Sequence, residues 1–420
     1  MSSSIARRLA AVWLCAAAAF TAPAAAALDV MDLSPADAGE RLAALARAGV
    51  PDDGVTIRLA DGDYGALTVK GLRGGPATIE PAPGATPRFS RLRVIDSVDV
   101  ELRRLVVEWT EPRVERHRRP LVEVAGASER VIIRDLAINP DVDPTGWAAE
   151  DWQSRAEHGV RLRGRDNALI GADIRAVYHG VEALGPGSMA RGNRVSGFAG
   201  DGMRVLADGV TLEANRITDC VSIDKNHDDG IQGWTVGPDR KPGRGVLRDA
   251  RIIGNTLISR VDPRYSLPCG MQGIGLFNGF FENWTIEDNL VVVDHWHGIT
   301  MMGARDARIV HNTVVDRSPG RPGPPWITIM SHNDGRRSQR GLIANNIVGA
   351  LRGSKEVPPG TVMTVGNVVA PDPATAVRDP AGLDYRPRPG GPAFGLVDPR
   401  FTPSGVADRP VGASWPRPTG

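Results

Sequence analysis

The chain repeats an alternation of polar and apolar residues that is typical of short β-strands. An Asn followed by alternating apolar residues recurs six times, as GNRVS, ANRIT, GNTLI, DNLVV, HNTVV and ANNIV, with the repeated Asn at Asn193, Asn215, Asn255, Asn289, Asn312 and Asn346. The intervals are 22, 40, 34, 23 and 34 residues. Two intervals near 22 and three longer ones indicate one repeating unit that carries insertions, as in a solenoid with loops on one face.

A second repeated pattern alternates with the first along the chain. A polar residue, a Gly and a short apolar strand recur as HGVRL, HGVEA, DGMRV, DGIQG, QGIGL and HGITM, which begin at His158, His179, Asp201, Asp229, Gln272 and His297. Each unit therefore contains at least two short strands with period-two alternation, separated by Gly, Asn or Asp turns and without a helical period between them. This organisation predicts an all-β fold, the parallel β-helix.

The repeats resemble the right-handed parallel β-helix fold of the pectate-lyase-like group, whose members stack coils of this length and align Asn residues at one corner. The resemblance covers most of residues 55–350. Segments 55–71 and 77–108 resemble the opening coils of that group, and 384–395 resembles the segment by which many such chains leave the last coil. The resemblance implies a protein active on a polysaccharide, without indicating a subfamily.

Three further segments lie outside the repeats. Residues 1–27 combine two Arg residues, an apolar run and a terminal Ala-x-Ala, which is typical of a secretory signal peptide. Residues 28–54 contain an amphipathic helix with Ser34 as its N-cap, and we expect it to cover the exposed core of the first coil. Residues 351–420 form a Pro-rich tail that we expect to pack on the solenoid. We therefore expect an exported protein, periplasmic or secreted, and a monomer.

Composition and charge narrow the range of partners. The chain has 49 Gly and 33 Pro with 5% aromatic residues, as expected of a turn-dense β protein. Its formal net charge is +1, and it becomes −1 when Arg7 and Arg8 leave with the signal peptide. Since so small a charge generates no global field, we expect neither a nucleic acid nor a membrane as a partner. Cys220 and Cys269 remain in the exported chain, where an oxidising compartment permits a disulfide between them; the sequence leaves this pairing open.

The insertions predict where a binding site lies. From the repeated Asn to the next Gly of the second pattern there are 9 residues after Asn193 and Asn289, but 15 after Asn215 and 18 after Asn255. Because the added loops precede the same strand, loops from several coils would wall one groove along one face. The residues before each Gly would form a file in this groove, about 4.8 Å apart and suited to a long polymer: His158, His179, Asp201, Asp229, Gln272 and His297.

Other side chains could bind the polymer in the same groove. Arg161, Arg163 and Arg204 alternate with apolar residues, so they would point outward and could bind carboxylates in a bidentate manner. Gln232 lies in the Asp229 strand and is a further candidate. Aromatic residues in or beside the loops could offer flat faces to sugar rings: Trp147, Trp152, Trp234, Tyr265, Trp296 and Trp326.

The densest group of ionisable residues is DKNHDD at 224–229. Polar turns commonly contain Asn and Asp side chains that satisfy backbone groups, but this explanation leaves Lys225 and His227 unaccounted for. We therefore predict a catalytic or metal centre at this segment. Asp224, Asp228 and Asp229 could hold a calcium ion, because carboxylate oxygens are the ligands that calcium prefers.

The predicted reaction is β-elimination on an acidic, uronic-acid-containing polysaccharide. This reaction needs a group that neutralises the uronate carboxylate, a base for the C5 proton and an acid for the leaving oxygen. Arg204, Arg161 or the calcium ion would neutralise the carboxylate, and His227 or Lys225 would be the base. Asp228 and Asp229 of the same cluster complete the predicted catalytic set.

Three alternatives remain open at this point. A glycoside hydrolase needs two carboxylates about 5 to 9.5 Å apart, and Asp201 could form such a pair with Asp229 or Asp228. Of the motifs of polygalacturonase-like hydrolases, however, only the paired Asp is present. The Trp-x-Asp-His motif of pectate lyases is also absent. Residues 224–228 loosely match the Asp-Pro-His-acid motif of mannuronan C5-epimerases, whose reaction shares its first step with elimination. The third alternative is a glycan-binding solenoid without catalytic activity.

Overall fold

The computed structural model describes residues 29–109, 111–113, 117–317, 320, 322–353, 360–402 and 410–414. The predicted signal peptide lies outside these residues. Three long parallel sheets contain 13, 11 and 12 strands, and neighbouring strands of each sheet belong to successive coils. The fold is a right-handed parallel β-helix with a helix near its N-terminus, which confirms the fold prediction.

Each coil contributes one strand to each sheet over most of the length. The first sheet contains Asp29–Leu33, Val55–Leu59, Ala77–Pro81, Val100–Arg103, Ile132–Arg134, Ala168–Ile170, Met189–Arg191, Thr211–Glu213, Arg251–Ile253, Thr285–Glu287, Arg308–Val310, Gly341–Ala344 and Val362–Val365. The second contains Ala66–Lys70, Arg91–Ile95, Pro120–Ala125, His158–Leu162, Val181–Ala183, Met203–Val205, Asp229–Trp234, Gln272–Asn278, His297–Met302, Trp326–Met330 and Ala350–Leu351. The third contains Gly62–Asp63, Pro87–Phe89, Val106–Val107, Ala137–Ile138, Asp173–Val177, Arg194–Phe198, Arg216–Cys220, Thr256–Ile258, Leu290–Val292, Thr313–Val315, Ile347–Val348 and Val368–Val369.

Smaller elements decorate this frame. A short parallel sheet contains Val246–Arg248, Phe280–Glu282 and Ala304–Arg305, and an antiparallel pair contains Val377–Asp379 and Asp384–Pro387. The α-helices are Ala38–Ala48 and Ala149–Arg155, and the 3-10 helices are Pro373–Thr375, Pro392–Phe394 and Pro399–Phe401. Neither α-helix in the described part of the chain has the length and apolar character needed to span a bilayer.

The core and one corner explain why the repeats stack in register. In the second sheet, Met203, Ile231, Ile274 and Ile299 align from rung to rung, and all are fully buried. At the corner, the backbone N and Nδ2 of each repeated Asn donate to the Oδ1 of the next Asn, as from Asn215 to Asn255 at 3.0 and 2.9 Å. The ladder connects Asn193, Asn215, Asn255, Asn289, Asn312, Asn346 and Asn367. These bonds satisfy polar groups that would otherwise be buried without partners.

Both ends of the β-helix extend beyond the predicted boundaries of 55 and 350. Strand Asp29–Leu33 pairs with Val55–Leu59, and the last strand of the third sheet is Val368–Val369. The N-terminal helix begins at Ala38 rather than at Ser34, because the Asp37 carboxylate accepts hydrogen bonds from the backbone N and Oγ of Ser34 and closes a separate turn first. Its apolar face is buried as expected of a cap, with Ala38, Leu42 and Leu45 in the core.

One part of the described C-terminal tail packs on the third sheet, whereas Phe401 packs on the first. Val377, Tyr385, Ala393 and Val411 form an apolar cluster with residues of that sheet, including Ile347. The second sheet, which carries the predicted groove, is therefore a different face from those on which these residues pack.

Candidate active site

The predicted file of polar residues forms at the start of the second-sheet strands. The rings of His158 and His179 stack with their centroids 4.8 Å apart. The backbone N of Asp201 donates to His179 Nδ1 at 2.9 Å, and the backbone N of Asp229 donates to Asp201 Oδ1 at 3.1 Å. Asp229 in turn aligns with Gln272. The vertical order predicted from the Gly pattern is therefore present.

Most of this file is buried, however, rather than exposed along a groove. His179, Asp201, Asp229 and Gln272 are all buried, and His158 is largely so. Burial, followed by the charges of Arg161 and Arg204, lowers the pKa of His158 to about 3, and burial likewise lowers that of His179. The inserted loops that were predicted to wall the groove therefore cover part of the file itself.

The floor is a neighbouring column of the same sheet, in which Arg93 is exposed, Glu182, Gly275, Thr300 and Thr328 are buried and the other members are half-buried. Register aligns its members as Arg93, Glu123, Arg161, Glu182, Arg204, Gln232, Gly275, Thr300 and Thr328. Charged residues thus occupy its first half and uncharged residues its second half. We call these the charged floor, from Arg93 to Arg204, and the uncharged floor, from Gln232 to Thr328.

The arginines predicted to bind substrate carboxylates are paired with carboxylates of the protein. Arg161 donates through Nε and Nη2 to Glu182 Oε2 at 2.8 and 2.6 Å. Arg204 lies 2.6 Å from Asp201 and 3.3 Å from Glu182, and Arg163 lies 3.8 Å from Glu123. Binding of a substrate carboxylate by Arg161 stays a prediction, and in the structure both of its donors meet one oxygen of an internal carboxylate, Glu182 Oε2. Arg and Glu residues alternate on successive rungs of one column, so each Arg has a carboxylate of the protein within reach.

Three buried carboxyl groups lie at the boundary between the two floors. Asp201 and Asp229 have no exposed surface, and Asp228 is 3% exposed. Ser222 Oγ donates to Asp228 Oδ2, and Gln232 Nε2 donates to Asp229 Oδ2 at 2.8 Å. Asp229 Oδ1 is buried and has no hydrogen-bond partner among the described residues.

Burial favours the protonated forms of these groups. It raises the pKa of Asp228 to about 7, and the neighbouring Asp201 and Asp224 act in the same direction. Burial and then the proximity of Asp201 raise the pKa of Asp229 well above its usual value, and burial also raises that of Asp201 against the opposing charge of Arg204. Asp228 can therefore hold a proton near neutral pH, which is a common property of catalytic acids.

Gly275 makes space for this cluster in the floor. A Cβ atom at Gly275 would lie 2.2 Å from Asp229 Oδ1 and 2.5 Å from Phe277 Cε2. Any larger residue would therefore displace the carboxyl group or the aromatic ring. The Asp229 carboxyl group and the Phe277 ring therefore fill the space in the floor that a side chain at position 275 would need.

The remaining residues of the 224–229 segment lie at the surface above the cluster. Asp224, Lys225 and His227 are exposed. Tyr178 Oη donates to Asp224 Oδ2 at 2.9 Å, and the backbone N of Asn226 donates to Oδ1 at 2.8 Å. The loop thus presents two candidate bases, Lys225 and His227, beside carboxyl groups whose pKa values burial raises.

The geometry does not support the predicted calcium site. Asp224 bonds to Tyr178, whereas Asp228 bonds to Ser222 and Asp229 to Gln232, so the three carboxylates do not converge. Within the ranges that the structure describes, no group of three or more His, Cys, Asp or Glu side chains is arranged to hold a metal ion.

A small apolar cluster beside the groove supports the 222–228 loop. Trp152, Ala156 and Val221 form its buried centre, and Trp147, Tyr178, Ile223, Tyr265 and Leu267 pack against it. A disulfide joins Cys220 to Cys269, with 5.3 Å between the Cα atoms. Trp152 has no exposed surface and cannot stack on a sugar, and Tyr265 packs in the same cluster with Arg260 5.1 Å from its ring. These two aromatic residues therefore stabilise the apolar cluster that supports the 222–228 loop.

Trp147 belongs to the same apolar cluster, whereas Trp234, Trp296 and Trp326 lie along the uncharged floor. Trp234 has the Arg204 guanidinium 5.0 Å from its ring and lines a pocket of about 370 Å³ with Gln232, Phe277 and Asn278. Trp296 is 47% exposed and stacks on Trp326 with the ring planes 6° apart. Phe277 was not predicted, although its place in the strand QGIGLFN could have indicated it.

Comparisons with known proteins agree on the fold. No protein-family model and no curated protein matches the sequence. The A-module of a mannuronan C-5 epimerase from Azotobacter vinelandii is similar with a TM-score of 0.50 at 13% identity, over 80% of this chain and 95% of that module. The Dettilon tailspike protein is similar with a TM-score of 0.49 at 14% identity; the match covers 80% of this chain and 66% of the tailspike, slightly under two thirds. At 13% identity the likeness to the epimerase module shows a shared fold, the β-helix.

Proposed function

We propose that the chain is an exported enzyme that cleaves an acidic, uronic-acid-containing polysaccharide by β-elimination over the second sheet. The observation that carries this proposal is the cluster of three buried carboxyl groups with raised pKa values, Asp201, Asp228 and Asp229, beneath an exposed loop that bears Lys225 and His227. Aromatic faces for sugar rings lie beside it on the uncharged floor.

The roles of the residues follow from their exposure and partners. His227 takes the C5 proton, with Lys225 as the alternative base, because both are exposed above the floor. Asp228 supplies a proton to the leaving oxygen, since its pKa of about 7 lets it hold one near neutrality. Asp229 orients the amide of Gln232 through a bond of 2.8 Å, so that this amide is a fixed donor at the floor.

Hydrolysis by Asp201 and Asp229 is less well supported. A hydrolase needs one carboxyl group to protonate the glycosidic oxygen and another to reach the sugar or a water molecule. Both carboxylate oxygens of Asp201 already accept hydrogen bonds, Oδ2 from Arg204 and Oδ1 from the backbone N of Asp229, so this residue is poorly placed to act on a sugar or a water molecule. The exposed ionisable groups at this site are instead the candidate bases of an elimination.

The test is ultraviolet absorbance of unsaturated uronate product during incubation with a panel of polyuronates, with and without calcium. We expect the wild type to produce the signal and His227→Ala to lose it by a factor of about 10² to 10⁴, the usual contribution of a general base. His117→Ala removes an exposed histidine elsewhere in the chain and is the matched control.

Other outcomes point to different reactions. Reducing ends without the ultraviolet signal would indicate hydrolysis. Exchange of the C5 hydrogen with solvent, without cleavage, would indicate epimerisation. Binding with none of these signals would contradict an enzymatic role altogether.

A further inference from the structure

The protonation of His295 is defined by its neighbour in the chain. The backbone N–H of His297 donates to His295 Nδ1 at 3.1 Å. An imidazole nitrogen that accepts a hydrogen bond carries no proton, so the proton of the neutral ring is on Nε2. His295 therefore presents an N–H donor at the far side of its ring.

Thr300 defines the protonation of His297 in a similar way. Thr300 Oγ1 lies 2.9 Å from His297 Nδ1 and 3.0 Å from Trp326 Nε1. The indole nitrogen can only donate, so Oγ1 accepts from Trp326. Thr300 is 1% exposed, and its own hydroxyl proton is satisfied by donation to His297 Nδ1. His297 is therefore also left with its proton on Nε2.

Both rings are neutral at neutral pH. Burial and the nearby His227 lower the pKa of His295, and burial together with His295, Arg352 and His227 lowers that of His297 to about 4. The two rings lie 5.4 Å apart and 23° from parallel. Neither Nε2 atom has a hydrogen-bond partner among the described residues, and neither belongs to the buried unpartnered atoms. Two N–H donors thus remain available side by side.

The surroundings favour an anion on a sugar. The Arg352 guanidinium acts on His297 and lies 4.3 Å from the centroid of the Trp326 ring. Trp296, stacked on Trp326, exposes a flat face beside the histidines. A carboxylate has two oxygens that accept hydrogen bonds, and a sugar ring packs well on an indole.

We propose that the Nε2–H groups of His295 and His297 bind the carboxylate of one uronate unit, while the Trp296–Trp326 pair packs against its ring. The inference rests on the proposed function for its substrate class. It assigns these two histidines to recognition of acidic sugars, and not to proton abstraction, because each ring has its Nδ1 occupied and its Nε2 protonated. His227 is then the histidine available as the base.

The test measures the affinity of oligo-uronates and of the same oligosaccharides with their carboxyl groups reduced to alcohols, by calorimetric titration. All variants carry His227→Ala so that no ligand is consumed. We expect His297→Phe and His295→Phe each to weaken oligo-uronate binding by about ten- to one-hundredfold, the usual effect of losing a hydrogen bond to a charged group. Affinity for the reduced oligosaccharides should change little.

His297→Gln separates the donor from the ring, since the Gln amide can place an N–H near the position of Nε2. It should recover most of the oligo-uronate affinity that His297→Phe loses. Equal losses for acidic and reduced ligands, or equal affinities of the wild-type groove for both, would overturn the proposal. If the protein distinguishes acidic from reduced oligosaccharides but shows no elimination, the proposed reaction is refuted and this subsite stands. If the wild type shows elimination but the His295 and His297 variants lose no preference for acidic oligosaccharides, the reaction stands and this subsite is refuted.

Discussion

The charged floor and the uncharged floor share one sheet and one register, but they differ in how their polar groups are satisfied. On the charged floor, Arg93, Arg161 and Arg204 each have a carboxylate on an adjacent rung. Along the uncharged floor, Asp229 Oδ1 and the Nε2 atoms of His295 and His297 have no partner among the described residues. A repeated position in a β-helix therefore does not by itself identify a binding residue; its partners do.

The difference has an energetic basis. A substrate carboxylate that approached Arg161 would have to replace Glu182, which already makes two charge-assisted hydrogen bonds. Exchanging one carboxylate for another gains little free energy of binding. A carboxylate that meets an unpartnered donor displaces only water, and a hydrogen bond to a charged group then contributes about 1.5 to 3 kcal/mol, so binding energy is available on the uncharged floor.

The largest expected effect is on stability, at Glu182. Replacing Glu182 by Gln leaves Arg161 and Arg204 short of a carboxylate, and their side chains are only 18% and 15% exposed. Removing one partner of a buried ion pair typically costs about 3 kcal/mol or more, so we expect a loss of this size in the free energy of unfolding. Glu123→Gln is the control, because its partners Arg93 and Arg163 are each 48% exposed, and it should cost less than about 1 kcal/mol. If urea unfolding gave equal losses of unfolding free energy for Glu182→Gln and Glu123→Gln, the buried ion pairs of the charged floor would not have the stabilising role described above.

The next effect is on turnover, at Gly275. A Cβ atom in Gly275→Ala would meet Asp229 Oδ1 at 2.2 Å and displace the carboxyl group from the floor. Misplacement of a catalytic group by about 1 Å can cost about 10²-fold in rate, and we expect a loss of this order in kcat. Gly270→Ala is the matched control, since its nearest atom, Ser222 Oγ, would lie 3.7 Å away. Full activity in Gly275→Ala would show that the absence of a side chain at this position has no role.

The third effect is gradual, and it is on the pH dependence of stability at Asp228. Its carboxyl group has a pKa of about 7 in the folded protein and about 3.8 when unfolded. Between these values the folded state holds the extra proton, so this group makes stability fall as the pH rises, by at most about 1.4 kcal/mol per unit. Asp228→Asn cannot ionise and should flatten this part of the profile, leaving the contributions of Asp201 and Asp229. An unchanged slope in urea unfolding between pH 5 and 7 would contradict the raised pKa.

The sequence predicted the repeat, the file and the outward direction of Arg161, because these depend on a local period that the Asn ladder keeps in register. The internal pairing of Arg161 with Glu182 was also readable in principle, since HGVRL and HGVEA align the two residues on adjacent rungs. The burial of Trp152 and the position of Tyr265 were not readable. They depend on contacts between loops far apart in sequence, for which the repeat gives no register.

The most direct test of this contrast is a crystal structure of His227→Ala with a bound oligo-uronate. The account predicts sugar rings along the uncharged floor, from Gln232 towards Thr328, with a carboxylate within hydrogen-bond distance of His295 and His297 and the Arg161–Glu182 pair intact. Sugar rings along the charged floor, with a carboxylate bound to Arg161 in place of Glu182, would contradict it.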